Sequence, residues 1–213
     1  MTKKPKSNQT STRLVICDSN VIIMMTIFKP SVMFTCKYTF GELAVHKSVI
    51  SEIEKWLRPD SRKLKKFGKP LIEDALRYCS HLETDFQEPA LAERGKYHRI
   101  MSGLENSLSE SEKGMPTSTV DKDLLLYAKK HNASLATQEQ TLRSLGKKMI
   151  EHHRILSFED LVVDVIRQNL LTETEVRGDI EKLTRMGENL RNDGRQKIET
   201  ALQIKKEPRL KQQ

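Results

Sequence analysis

The stretch RLVICDSN, from Arg13 to Asn20, constrains the fold most, because an apolar run stops abruptly at a carboxylate. A short apolar run such as Leu14 to Cys17 is typical of a strand buried on both faces, as in a parallel sheet. Ligands of open α/β sheets bind beyond the carboxyl ends of the strands, which is where Asp18 stands. Asp18 or Ser19 could equally be only the cap of the helix that follows.

The rest of the chain alternates predicted strands and helices. Ser48 is expected to cap a helix, and the charged stretch 57–70, with its prolines and glycine, predicts a break. Further strands are predicted near 43–45, 134–137 and 153–156, and further helices near 71–82, 90–108, 119–131 and 138–145. This alternation predicts a parallel sheet with helices on both faces, an α/β/α arrangement.

The charge balance favours a polyanionic partner. The chain has 37 basic and 29 acidic residues and a formal net charge of +8, which is typical of nucleic-acid binding. The three cysteines show no CxxC spacing, so we expect reduced thiols and a cytoplasmic protein. No apolar run is long enough to span a bilayer. Residues 1–12 are basic and polar without an apolar segment, and we expect a disordered arm there and no secretory signal.

Four acidic positions are candidates for one shared site at the sheet edge. Asp18 and Glu139 follow predicted strands, whereas Glu52 and Asp121 lie in the first turns of predicted helices. Acids in first turns are also ordinary partners of the helix dipole. Asp123 lies in the same turn as Asp121 and competes with it for the third position. Their joint placement nevertheless predicts that four carboxylates converge on one cleft.

At these residues the chain resembles the PIN-domain nucleases over about residues 13–157. The first family motif is LVICDSN, and the second is the acid Glu52 in SVISEIEKW. The third is an Asp followed seven residues later by Ala, which Asp121 and Ala128 match in DKDLLLYA. The fourth is SLATQE, where Thr137 is in place but Glu139 stands where the family usually has Asp.

This resemblance implies a three-layer PIN-like fold and a metal-dependent nuclease. Asp18, Glu52 and Asp121 would be catalytic metal ligands, with Glu139 as a fourth, and Ser19, Asn20 and Thr137 would hold these carboxylates by hydrogen bonds. Oxygen ligands suit Mg²⁺ or Mn²⁺. Such an ion could bind the scissile phosphate and activate water. Carboxylates this close also raise one another's pKa values when no cation neutralises them.

The predicted break also contains a candidate RNA-binding segment. The sequence RPDSRKLKKFGK, from Arg58 to Lys69, holds six basic residues and one acid. A solvated loop is the ordinary interpretation of such a run. If the segment flanks the cleft, its basic side chains could hold phosphates, and Phe67 or Trp56 could stack on a base. Trp56 shares a helical face with Ile53 and is expected in the core. The phosphate-binding candidates are Arg62, Lys63, Lys65, Lys66 and Lys69.

The C-terminal part is predicted as a helical extension, 158–204, followed by a disordered tail, 205–213. Thr172 and Glu175 form a capping-box sequence. A sparse apolar stripe follows at Val176, Ile180, Leu183 and Leu190. It could fold back on the domain, pair with a second copy or dock a protein partner. Small bacterial members of the family are often toxins held by antitoxins, and this extension sets the chain apart from them.

We therefore expect a divalent-metal-dependent endoribonuclease that acts on RNA. Two alternatives stay open: a PIN-scaffold module that binds nucleic acid or protein without cleaving, which the Glu139 departure favours, and a DNA-cleaving nuclease. A different α/β phosphohydrolase is a more distant alternative. No glycine-rich phosphate loop occurs in the sequence.

Overall fold

Four parallel strands form the single sheet of residues 13–206, which are the residues that the computed structural model describes. The strands are β1 (Leu14–Cys17), β2 (Glu42–Ala44), β3 (Ser134–Ala136) and β4 (Ile155–Leu156), in the spatial order β2-β1-β3-β4. Ile16 of β1 is opposite Ala44 on one side and Leu135 on the other. The prediction of a parallel sheet in an α/β fold is confirmed.

Helices flank this sheet and connect its strands. Their bounds are α1 Ser19–Ile27, α2 Pro30–Met33, α3 Lys47–Lys55, α4 Arg62–Phe67, α5 Lys69–Leu82, α6 Leu91–Asn106, α7 Thr119–Lys130, α8 Gln140–Met149, α9 Phe158–Arg167, α10 Glu173–Arg185 and α11 Asn192–Lys206. A short 3₁₀ turn, His152–Arg154, leads into β4.

Two local predictions were wrong. The cap of α3 is His46, whose ring nitrogen accepts from the backbone N–H of Ser48, so Ser48 lies inside the helix. The predicted break contains α4, which Ser61 caps by accepting from the N–H groups of Lys63 and Leu64. The basic run Arg62–Phe67 is therefore a helix, and Phe67 is buried beneath it.

The core forms around β1 and α1. Val15, Ile16 and Cys17 are fully buried, as the apolar run predicts. Helix α1 is buried on nearly every side because it packs against α3, α5, α9 and α10. A helix enclosed in this way needs apolar residues all round, which explains the unbroken run Val21–Met25.

The C-terminal helices pack on this core. Phe158 and Leu161 of α9 are fully buried, and α11 packs along α9. Val176 and Leu183 of α10 are also buried, and the predicted capping box of Thr172 and Glu175 is present. The apolar stripe thus folds back within the chain, while a domain boundary after residue 157 stays a prediction.

The chain ends are described only in part. Helix α11 continues through Lys206, so the first two residues of the predicted tail are helical. The predicted arm, 1–12, and residues 207–213 lie outside the described residues. Within residues 13–206, every helix is too short or too polar to cross a membrane.

Candidate functional site

The carboxyl ends of β1 and β3 lie side by side and carry the first site residues. Asp18 follows β1, and its backbone N–H donates to the carbonyl of Ala136, the last residue of β3, at 3.1 Å. Thr137 comes next in the chain and is fully buried. Neighbouring parallel strands therefore place Asp18 and Thr137 at one edge of the sheet.

Asp18 both caps α1 and presents a free carboxylate oxygen. Its Oδ1 accepts from the backbone N–H of Val21 at 2.7 Å, which confirms the capping interpretation. Its Oδ2 is buried and has no hydrogen-bond partner. A buried acceptor without a partner is uncommon and needs an explanation. A bound cation or a water molecule would satisfy it.

Asn20 and Glu139 meet across the two strand ends. The side-chain amide of Asn20 donates from Nδ2 to Oε1 of Glu139 at 2.6 Å. The backbone N–H of Glu139 in turn donates to the hydroxyl of Thr137 at 3.1 Å. These bonds hold the Glu139 side chain beside the end of β1. Glu139, which is longer than the Asp usual in the fourth motif, therefore reaches this edge of the sheet.

Glu52 comes to the same edge from α3. Its side chain is partly buried, and the nearby Ser19 side chain opposes the rise in its pKa. Ser19 follows Asp18 in the chain, so Glu52 of α3 lies near the residue beside the candidate ligand. Ser19, Asn20 and Thr137 thus each contact one of the candidate acids.

Asp121 and Asp123 point to different surroundings. Asp121 forms a capping box with Ser118, whose N–H donates to Asp121 Oδ2 at 2.7 Å. Asp123 is 3% exposed and is paired with Arg94 and His98. Its Oδ1 lies 2.7 Å from Nε of Arg94 and 2.8 Å from Nε2 of His98. Asp123 is therefore already neutralised by an ion pair between α6 and α7.

The electrostatics join Asp18, Glu52, Asp121 and Glu139 into one acidic cluster. The pKa of Asp18 is raised to about 7, mainly by burial and also by the charges of Asp121 and Glu139, while the nearby Thr137 side chain and the hydrogen bond from the Val21 N–H oppose the rise. Burial followed by the charge of Asp121 also raises the pKa values of Glu52 and Glu139. Asp121 therefore interacts with each of the other three carboxylates.

Lys63 lies at the rim of the acidic cluster. The Nζ of Lys63 donates to Oδ1 of Asn20 at 3.1 Å, and its charge lowers the pKa values of Glu52 and Glu139. The ammonium also lies 4.9 Å from the ring centroid of Trp56. Trp56 and Phe67 are only 7% and 6% exposed, so both belong to the core and neither is free to stack on a base.

The other predicted phosphate-binding residues are exposed or contact groups outside the acidic cluster. Lys66 binds Glu188 at 2.6 Å and the carbonyl of Gly187 at 3.1 Å. Arg62 and Lys65 are exposed, and Lys69 faces Glu73 at 3.5 Å. Of the predicted set, Lys63 is the residue that approaches the acidic cluster, through its hydrogen bond to Asn20.

Glu188 was not predicted from the sequence. It lies between α10 and α11, and its charge contributes to the raised pKa of Glu139. A lone acid between two helices has no motif to mark it. The only signal would have been the glycine before it, Gly187, which has a positive φ of 71° and lets the chain turn toward α4.

The donor set is suitable for Mg²⁺ or Mn²⁺, but the side chains do not form a closed cage. Across residues 13–206, no three His, Cys, Asp or Glu side chains are grouped closely enough to hold a metal ion. Mg²⁺ usually keeps several waters and binds through one or two carboxylates. The unpartnered Oδ2 of Asp18 fits one direct bond of this kind, with the other acids acting through water.

Comparisons with protein-family models, with curated proteins and with solved structures give no match for this chain.

Proposed function

We propose that this chain is a divalent-metal-dependent endoribonuclease with a three-layer, PIN-like α/β/α domain. The observation that carries the proposal is the acidic cluster, in which a buried carboxylate oxygen of Asp18 lacks a partner and Asp121 interacts electrostatically with three other acids. Clustered carboxylates repel one another, so the arrangement is stabilised when a cation binds. The net charge of +8 favours a nucleic-acid substrate.

The residues of the cluster have separate roles in this proposal. Asp18 would be a direct ligand of Mg²⁺ or Mn²⁺, and Glu52, Asp121 and Glu139 would hold the waters around it. A bound divalent ion supplies charge stabilisation at the phosphate and lowers the pKa of a water molecule. Asn20 orients Glu139 through their hydrogen bond of 2.6 Å.

Lys63 is the residue best placed to meet the substrate. Its ammonium lies at the rim of the acidic cluster, next to Asn20. A lysine there is a point charge that can bind a phosphate oxygen. It would therefore help to draw the polyanionic substrate toward the carboxylates, which would otherwise repel it.

The test is a cleavage assay on single-stranded RNA and single-stranded DNA, run side by side with Mn²⁺, with Mg²⁺ and with EDTA. We expect cleavage of RNA that requires the metal and is lost in Asp18→Asn. Cleavage of DNA but not RNA would replace the proposed substrate. Metal-independent cleavage would contradict the assignment of the reaction to this cluster.

A second candidate function is a module that binds nucleic acid without cleaving it. The observation that favours it is the lack, within the described residues, of three acids grouped closely enough to hold a metal ion. This module would bind RNA with equal affinity in EDTA and in millimolar Mn²⁺. It would also give no cleavage products with wild-type protein at any metal concentration.

A further inference from the structure

A cavity of about 330 Å³ lies between α3, α6 and α7. Ser51 and Val120 form part of its wall. These residues immediately precede Glu52 and Asp121 in the chain, so the cavity lies between the two helices that carry these acids. Its volume is near the lower end of the range of about 300–1,000 Å³ for small-ligand sites.

Three cationic side chains surround this cavity: Lys47, Lys55 and Arg94. Lys47 and Lys55 are exposed, and the side chain of Arg94 is 35% exposed. The cations lie at both ends of α3 and on α6. They therefore approach the cavity from different directions, as is required to surround an anion.

The carboxylate of Asp123 positions Arg94 at the cavity wall. It accepts from Arg94 Nε at 2.7 Å and from a terminal nitrogen of the same guanidinium. His98 Nε2 lies 2.8 Å from Asp123 Oδ1. A guanidinium has five N–H groups, and this pair uses two of them. The remaining N–H groups are available to a ligand.

The second carboxylate, Glu88, is engaged in a similar way. It accepts from the Tyr127 hydroxyl and from Lys47 Nζ, the latter at 2.7 Å. These two donors lower its pKa to about 2. An ammonium carries three protons, so Lys47 keeps donors free. Both acids of the wall are thus held by donors, while the three cations have N–H groups to spare.

We propose that this cavity is a phosphate subsite that binds a phosphodiester of the substrate strand next to the bond cleaved at the acidic cluster. This inference rests on the proposed function for the identity of the substrate, but the binding can be measured without cleavage. Lys47 and Lys55 supply charge, and Arg94, oriented by Asp123, supplies directed N–H donors. The subsite would fix the register of the strand on the protein, because backbone contacts position a nucleic acid.

The first experiment measures binding of a short single-stranded RNA to the full chain in EDTA, at several salt concentrations. The variant is Lys47→Gln with Lys55→Gln, and the control is Lys130→Gln, an exposed lysine at the far end of α7. We expect the double variant to bind about fivefold to tenfold more weakly. Its salt dependence should decrease by about one unit of the log–log slope, because the phosphate in the cavity is no longer neutralised.

The second experiment locates the bound phosphate. Methylphosphonate linkages, which are uncharged, replace one phosphate of the RNA at a time. A methylphosphonate at one position should weaken binding to the wild-type protein and leave binding to the double variant unchanged. If every position weakens both proteins equally, or if the double variant binds like Lys130→Gln, the cavity is not a phosphate subsite. Melting temperatures of all variants exclude a folding defect.

A competition with inorganic phosphate and a comparison of binding with cleavage distinguish the remaining possibilities. Inorganic phosphate should compete with the RNA in the wild-type protein only at high concentration. Tight competition would instead assign the cavity to a free phosphate or a terminal phosphate, and would overturn the strand-binding proposal. Suppose that one methylphosphonate position weakens binding to the wild-type protein but not to the double variant, and that the wild-type protein never cleaves RNA. The subsite proposal then stands and the nuclease proposal falls. If the wild-type protein cleaves RNA but no methylphosphonate position distinguishes it from the double variant, the nuclease proposal stands and the subsite proposal falls.

Discussion

The side-chain amide of Asn20 donates to the Glu139 carboxylate at 2.6 Å, although 119 residues separate them in the chain. The bond exists because β1 and β3 are parallel neighbours whose carboxyl ends coincide. Lys63 binds the other end of the same amide at 3.1 Å. Asn20 thus links the acidic Glu139 to the basic Lys63, and it orients both side chains.

The raised pKa of Asp18 predicts a pH-dependent stability in metal-free protein. A folded-state pKa of about 7 against an ordinary value of 3.8 means that, between these values, the native protein holds a proton that the unfolded chain has released. The free energy of unfolding should therefore fall as pH rises through this window, by up to about 4 kcal/mol. Urea unfolding at pH 5 and pH 8 covers about two units of this window and should show a decrease of about 2–3 kcal/mol.

The variant Asp18→Asn removes this titration and should flatten the pH dependence while raising stability at pH 8. Asp85→Asn, at an exposed acid, is the control and should keep the wild-type slope. An unchanged slope in Asp18→Asn would show that another group causes the pH dependence.

The two acids of α7 should respond differently to mutation. Asp121→Asn should strongly reduce cleavage with little loss of stability, because Asp121 interacts with the other carboxylates. Asp123→Asn should lower the free energy of unfolding by about 1–3 kcal/mol, because it weakens hydrogen bonds between charged groups. Cleavage assays and urea unfolding of both variants test this contrast. The reverse order would identify Asp123 as the third acid.

Lys63 and Lys65 form a matched pair within α4. Lys63→Gln should weaken RNA binding by about tenfold and reduce the salt dependence, because it removes the cation at the rim of the acidic cluster. Lys65→Gln changes an exposed lysine two positions away and should have a much smaller effect. Fluorescence anisotropy with labelled RNA compares them. Equal effects would mean that the whole segment acts only through its general charge.

Two glycines test how closely the C-terminal helices pack. A Cβ on Gly194 would lie 2.4 Å from Cγ of Glu159, which is fully buried and accepts from the Arg191 N–H at 2.8 Å. Gly194→Ala should therefore lower stability by about 1–3 kcal/mol. No atom lies within 4 Å of a Cβ at Gly178, so Gly178→Ala in α10 should raise stability by up to about 1 kcal/mol. If Gly194→Ala is also stabilising, α11 does not pack against α9 as described.

The sequence predicted the strand that ends at Asp18 better than it predicted contacts between residues that are distant in the chain. The apolar run before Asp18 predicted a buried parallel strand, since a strand covered on both faces needs consecutive apolar residues and a run of four suits a strand better than a helix. Asp18 also caps α1, and the capping motif and the ligand candidate use different oxygens of one carboxylate. The sequence cannot distinguish these roles, because both require the same residue type.

Other features depend on contacts that are distant in sequence. The pairing of Asp123 with Arg94 and His98 could not be predicted, because α6 has no motif that directs it to α7. The segment Arg62–Phe67 looked like a break because prolines and glycine flank it, yet burial of Phe67 anchors it as a helix. Glu188 approaches Glu139 only because α10 and α11 fold back over the core.

Thermal unfolding at increasing free Mn²⁺ measures whether the acidic cluster binds a divalent cation through Asp18. We expect the melting temperature of the wild-type protein to rise with the logarithm of free metal above its dissociation constant. Asp18→Asn should start from a higher melting temperature in EDTA at pH 8 and show almost no rise. Equal metal-dependent shifts in both proteins, or no shift in either at millimolar Mn²⁺, would contradict cation binding through Asp18.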